Sequence, residues 1–247
     1  MPKFFISPES ISEKTAVISG GDVLHITKVL RLTTGAHLTL CDGEGTDYEA
    51  EIASVEKDKI VLSLFGKKAS DTEPEVKVTL FQGLPKASKM EYIIQKCTEL
   101  GIADIVPVMT KRTVVKLENA QAEKKKLERW NKIAQEAVKQ CGRGKIPKVH
   151  EVTDISGVLE CASDFDLLLL AYEEEKETSL ASVLRSVKGA KRVGILIGPE
   201  GGFAPEEVEK LKTAGAKSVT LGKRILRTET AGHTVLTAVL YEFGELE

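Results

Sequence analysis

Residues 198–203, GPEGGF, break the stretch RVGILIGPEGGFAPEEVEKL at the point where a β-branched, apolar run stops and a proline with two glutamates opens a helix. A strand, a glycine turn and a helix in that order often hold a nucleotide-like ligand, because free backbone amides gather at the turn. The phosphate signatures GxGxxG and GxxxxGK[ST] are both missing. Glu200, inside the turn, would repel a phosphate. The ligand this turn admits carries positive charge or none beside that carboxylate. S-adenosylmethionine, with an adenosine, a sulfonium and no phosphate, meets the condition. A glycine-rich turn after a strand is also, by itself, only a turn, so the reading depends on its surroundings.

The elements around it alternate. VKVTLFQGL and IADIVPVM read as strands, FDLLLLAY and RVGILIG as continuous apolar strands of a parallel sheet covered on both faces, and KSVTLG as a short strand. Between them, SKMEYIIQKCTELG opens with Ser88 and Glu91 in a capping-box pattern and repeats Met90, Ile93, Ile94 and Cys97 on one face. A basic helix follows with Leu127, Trp130, Ile133, Ala134, Ala137 and Val138 as its inner stripe. APEEVEKLKTAG has Pro205 in its first turn and Gly215 at its stop, and TETAGHTVLTAVLYEFG closes the chain as a largely apolar helix. This is an α/β domain.

Residues 1–70 differ. HLTLCD, DYEAEIASV and KIVLSLFG are β-rich and separated by turn signals, with one helix expected over GDVLHITKVLR on an inner face of Val23, Ile26, Val29 and Leu30. A small β-barrel fits, and GKKASDTEPE at 66–75 reads as a linker. The chain of 247 residues has no apolar run near the ~18 needed to span a membrane. Its N-terminus has no signal region, and its four cysteines are scattered as in a cytosolic protein. His37, His150 and His233 have no metal-ligand spacing, so no metal is expected. The net charge is −2, yet residues 111–148 hold twelve Lys and Arg against four Glu, a local +8 against −10 elsewhere. Such a block points to a polyanion or to a solvated helix face.

In combination with LIGPEGGF, the tail LGKRILRTETAGHTVLTAVLYEFG resembles the SPOUT superfamily of methyltransferases, and within it the family that methylates uracil N3 in 16S ribosomal RNA (the RsmE type). HITKVLRLTTGAHLTLCDGEG at 25–45 is similar to that family's N-terminal PUA-like RNA-binding domain. GLPKASKMEYIIQKCTELG at 83–101 and RWNKIAQEAVKQCGR at 129–143 match further segments, so the resemblance runs nearly the whole chain. Two positions depart from it. Cys141 stands where a serine is expected, which weakens any hydroxyl role there, and Lys3 stands where arginine is more frequent, which keeps the charge but loses a fork of donors.

The resemblance implies a PUA-like β-barrel domain over 1–72 and a SPOUT-type parallel-sheet domain over 73–247, with a deep trefoil knot at about 165–247 that no general rule of topology would suggest. Three stretches, 170–173, 197–202 and 221–231, match the knot loops that would hold S-adenosylmethionine. Leu170, Ile197, Leu221, Ile225 and Leu226 would pack on the adenine, while Gly198, Gly201, Gly202 and Gly222 would admit the backbone closely, with Pro199, Glu200 and Thr230 completing the set. The uracil N3 proton is lost at a pKa nearer those of Tyr and Lys than that of Glu, so a base or an anion stabiliser is required. Arg227 is the first candidate, holding negative charge on a uracil oxygen; Glu229 and Glu200 are candidates for the base, if burial raises them. The plain alternatives are that Arg227 caps a turn and Glu229 favours a helix N-terminus. RNA phosphates would meet His25, Lys28 and Arg31 in the first domain, and Lys86, Lys89, Arg112, Arg129, Arg143 and Lys145 in the second. The implied partners are 16S ribosomal RNA within the small ribosomal subunit and a second copy of the chain, with the final apolar helix as a dimer element. A SPOUT enzyme for another RNA such as tRNA, and a catalytically silent RNA-binding or assembly protein, remain open at this point.

Overall fold

The computed structural model describes residues 2–187 and 189–246, and contacts divide the chain into two compact units: residues up to Glu73 with Val138–Ile146, and Pro74–Ala137 with Pro147 onward. In the first unit, β1 (Lys3–Phe5), β2 (Thr15–Ser19), β3 (His37–Cys41), β4 (Thr46–Val55) and β5 (Lys59–Ala69) form one sheet in the order β1-β3-β4-β5-β2. Period-2 alternation sends Ala16, Ile18, Leu38, Leu40, Ala50, Ile52, Ile60 and Leu62 into a single core with Phe4, Val23 and Ile26. The pairing runs as one path with β1 and β2 at its ends.

The helix expected over 21–31 is one α turn, α1 (Gly21–Leu24), running into a π turn at His25–Val29. The wider turn takes Leu30 N–H to His25 C=O and shifts the apolar face. Val23 and Ile26 stay buried, whereas Val29 and Leu30 turn to solvent. The supposed linker is also ordered. β5 extends to Ala69, and the Glu73 carboxylate takes the Arg143 guanidinium at 2.6 Å and the amides of Gly144 and Lys145. Residues 138–146 are fastened to this unit by backbone bonds between Gly45 and Gly144 and between Ile146 and Gly43.

The second unit is a parallel sheet of β6 (Lys77–Gly83), β7 (Asp104–Met109), β8 (Lys148–Val149), β9 (Thr153–Asp154), β10 (Leu167–Ala171), β11 (Arg192–Ile197) and β12 (Lys217–Val219). Its order is β12-β10-β11-β6-β7-β8, with β9 also on β7. The helices are α2 (Lys89–Glu99), α3 (Ala120–Cys141, whose last turn groups with the first unit), α4 (Ile155–Glu160), α5 (Leu180–Ser186), α6 (Pro205–Thr213) and α7 (Thr228–Glu242). Apolar runs are continuous because both faces are covered. Leu167, Leu169, Val193 and Ile195 join residues of α2, α3, α5 and α7 in one cluster, and Leu168, Leu170 and Leu196 join residues of α4 and α6 in another. The Ser88 side chain makes no capping bond at α2; Glu91 instead pairs with Arg129 at 2.8 Å. Among the described residues no helix is long and apolar enough to cross a membrane.

Candidate active site

The sheet order reverses between β6 and β11, and an open α/β sheet binds ligands beyond its strand carboxyl ends at such a switch. There the loops after β10, β11 and β12 and the start of α7 enclose a cavity of about 810 Å³. Its wall includes Ala171, Ile197, Gly198, Pro199, Glu200, Gly202, Leu221, Gly222, Ile225, Leu226, Arg227 and Glu229.

A buried polar chain fixes the glycine loop. Gln82 Nε2 donates to Thr228 Oγ1 at 2.9 Å and to the Gly83 carbonyl at 3.0 Å, and the Thr228 hydroxyl donates to the Gly198 carbonyl at 2.6 Å. The end of β6, the glycine loop and the first turn of α7 are thereby tied together. Gly83 permits the approach, since a Cβ there would lie 2.5 Å from both N and Cδ of Pro199. Gln82, Gly83 and Thr228 were not singled out from the sequence. The local signal is a glutamine and a glycine together at the carboxyl end of the strand KVTLFQG.

Glu200 points back toward α2, accepting from Lys89 Nζ at 2.8 Å and from the Lys86 amide at 3.1 Å. Partial burial alone would raise its carboxyl, but the Lys89 hydrogen bond and the backbone amides prevail and hold it below the ordinary range. Glu229 is only 16% exposed, and Lys89 Nζ stands 3.7 Å from its Oε2, which has no hydrogen-bond partner. Arg227 is 84% exposed, with Nη1 4.0 Å from Glu229 Oε1. Its carbonyl accepts the amides of Thr230 and Ala231 at the start of α7, leaving the guanidinium to reach into the cavity. One turn on, burial lowers the His233 imidazole, which meets the Tyr92 ring edge-on.

Several assignments change. Leu170 is fully buried in the α4/α6 cluster and is not on the cavity wall. Strand alternation puts its neighbour Ala171 there. Gly201 and Thr230 are also absent from the wall. Gly201 offers its carbonyl to Arg112 Nη1 at 3.2 Å, and Thr230 lies on an exposed part of α7. Lys89 is engaged with the two carboxylates and is no free cation for phosphate. Arg143 is only 6% exposed and paired with Glu73, so it folds the first unit and does not present itself to RNA. His25, Lys28, Arg31, Lys86, Arg129 and Lys145 are exposed. Arg31 holds a left-handed backbone at φ 55.

A parallel sheet with a glycine-loop cavity at its carboxyl ends is a ligand-binding domain of the α/β class, and the matching family models say which. An RNA methyltransferase domain matches residues 72–240, and an RNA methyltransferase PUA domain matches residues 18–65. The ribosomal RNA small subunit methyltransferase E of Bacillus subtilis is 38% identical, covering 98% of this chain and 97% of the relative. That of Synechocystis is 31% identical over 96% of this chain and 76% of the relative. The crystal structure of the Neisseria gonorrhoeae protein of the same name, bound to S-adenosylmethionine, has a TM-score of 0.81 at 30% identity, covering 98% of this chain and 97% of that one. The chain belongs to the ribosomal RNA small subunit methyltransferase E family of RNA methyltransferases.

Proposed function

We propose that this chain methylates N3 of a uridine in 16S ribosomal RNA, using S-adenosylmethionine held in the cavity at the carboxyl ends of β10, β11 and β12. The observation that carries the reading is the pairing of that cavity with Arg227 and an unsatisfied Glu229 on one wall, in a chain of this family.

The residues present fit the donor. About 810 Å³ lies within the range of small-molecule pockets, ~300–1,000 Å³. Ile197, Leu221, Ile225 and Leu226 offer apolar surface for an adenine, and the glycine loop offers backbone groups. Charge of both signs lines the cavity, five Lys or Arg against four Glu, and the carboxylate nearest the glycine loop, Glu200, is held by Lys89 and the Lys86 amide. When bound, S-adenosylmethionine supplies a methyl group on a sulfonium.

The chain's own groups prepare the base. The Arg227 guanidinium, which among the described residues approaches Glu229 at 4.0 Å, extends two N–H groups toward a uracil oxygen and stabilises the charge left when N3 loses its proton. Glu229 is the better placed of the two acids to accept that proton, because Glu200 is already saturated by Lys89 and the Lys86 amide. In the first unit His25, Lys28 and Arg31 position phosphate, as do Lys86 and Arg129 in the second.

The reading extends to a trefoil knot over about 165–247, a homodimer using α7, a cytoplasmic setting, no metal requirement, and a preference for the assembled small subunit over free RNA. It is supported by the family membership and by a β10-α5-β11-α6-β12-α7 order with three loops at one cavity. The test is transfer of labelled methyl from S-adenosylmethionine to small subunits from cells lacking this protein, with the base identified by mass spectrometry. Label on uracil N3 is expected. Label on another base or on tRNA alone would refute the assignment, and faster labelling of free RNA would refute the subunit preference.

A further inference from the structure

The loop between β12 and α7 has an unusual construction. Leu221 and Leu226 at its two ends are partly buried against the core, whereas Gly222, Lys223, Arg224 and Ile225 between them are exposed, Ile225 by 79%. Gly222 turns the chain outward at φ 100 and donates its amide to Thr220 Oγ1 at 3.3 Å. The result is a four-residue tip anchored at both feet and standing on the cavity wall. Two of its residues are cations, and among the described residues neither has an acidic partner. The loop after β10 contributes Glu173, Glu175 and Lys176 to the same cavity, with Glu175 accepting the amides of Glu177 and Thr178. Cations without acids therefore gather on the β12–α7 tip, and a polyanion entering the mouth is drawn to that side.

We propose that Lys223 and Arg224 form a phosphate-binding tip that grips the RNA backbone beside the target nucleotide, a role separate from holding the methyl donor. This deepens the functional reading above and rests on it. Arg227 follows Arg224 by three residues and caps the start of the adjoining helix, so a phosphate held at the tip leaves the attached base next to the guanidinium. Exposed, unpaired cations on a loop anchored at both feet meet phosphate without first breaking an ion pair, and such contacts fix position without reading sequence.

The experiment compares the wild type with the Lys223→Ala/Arg224→Ala variant and with a Lys210→Ala/Lys217→Ala control, which removes equal charge from exposed positions off the cavity wall. Affinity for S-adenosylmethionine is measured by calorimetry, and kcat/KM for unmodified small subunits across a series of salt concentrations. The expected result is unchanged donor affinity, kcat/KM lower by about tenfold, and a log–log salt dependence shallower by about 2 in the tip variant only. An unchanged kcat/KM and slope would overturn the proposal. A matching loss of donor affinity would overturn it too, by assigning the tip to the donor site. If the wild type labels no subunit, the functional reading fails separately. The same salt slopes measured on polyuridylate binding then decide the tip: a shallower slope upholds it and equal slopes refute it.

Discussion

The parallel sheet has a cavity at each end, and the two are finished in opposite ways. At the amino ends, about 620 Å³ is bordered by Glu75, Val76, Ala190, Lys191 and residues 242–245 past α7. There acids close the backbone: Glu245 accepts the amides of Glu75 and Val76, both at 2.9 Å, and Asp166 accepts those of Lys191 and Arg192. Among the described residues the cations on this wall are also paired, Lys191 with Glu75 and Arg185 with Glu242. At the carboxyl ends the larger cavity is left unsaturated, with Glu229 Oε2 and Gln82 Oε1 buried and lacking partners and Arg227 in the open. Buried polar groups are nearly always paired, so a buried carboxylate oxygen without a hydrogen bond on the cavity wall, as at Glu229, is an atom that a ligand can complete. Cavity size alone would not have separated the two.

The strongest way to break the comparison is to remove the open arginine. Arg227→Ala is expected to lower the methyl-transfer rate by about 10²–10³-fold, the usual loss of an anion-stabilising donor, with S-adenosylmethionine affinity intact. A normal single-turnover rate would leave the carboxyl end without its leading group. Gly83→Ala comes next. The added methyl meets Pro199 backbone at 2.5 Å, and relief must come from shifting the glycine loop. Overpacking of this kind costs ~1–3 kcal/mol, or about tenfold to hundredfold in donor affinity by calorimetry. Unaltered affinity would mean that the loop's position is irrelevant to binding.

The two carboxylates sharpen the comparison within the active end. Glu200 has a carboxyl held below its ordinary range, chiefly by the Lys89 hydrogen bond acting against burial. Its contribution is therefore complete above the ordinary carboxylate pKa of ~4.3 and is lost only as pH falls through the lower folded value. Glu200→Gln should weaken donor binding by about twofold to fivefold, in keeping with a partly exposed ion pair, and leave the pH–rate profile near neutrality unmoved. Glu229→Gln should lower the single-turnover rate by about 10²–10⁴-fold, the usual contribution of a general base. If Glu200→Gln shows that loss and Glu229→Gln does not, the two roles are exchanged.

Much of the active end was legible. GPEGG and LGKRILRTETA are contiguous, and the apolar strands feeding them are uniform enough to read as buried. The limits were of three physical kinds. Where both faces of a strand are apolar, parity cannot be read, so Leu170 was taken for the wall residue that is Ala171. Where a contact joins distant segments, as in Gln82–Thr228–Gly198, spacing holds no trace of it. Where sequence neighbours fold apart, a charge block misleads: Arg129 lies exposed in the second unit, but Arg143 is buried against Glu73 in the first. The π turn after α1 adds a case in which helical spacing was right for Val23 and Ile26 and failed one turn later, because one extra residue entered the turn.

The smallest expected effect tests the saturated end. Glu245→Ala frees two backbone amides, that of the exposed Glu75, which water takes up, and that of the buried Val76, which water reaches less readily. Each such bond contributes ~1 kcal/mol net, and partial solvation lowers the combined loss to about 1 kcal/mol in the urea unfolding free energy. Methyl transfer and donor affinity should not change, since no residue of that end reaches the larger cavity. α7 nevertheless runs from Thr228, whose hydroxyl holds the glycine loop, to Glu242 beside the second cavity. A rate loss in Glu245→Ala exceeding its loss of stability would show that loosening the far end of this helix moves Thr228. The contrast between a closed end and an open one would then give way to a single lever joining them.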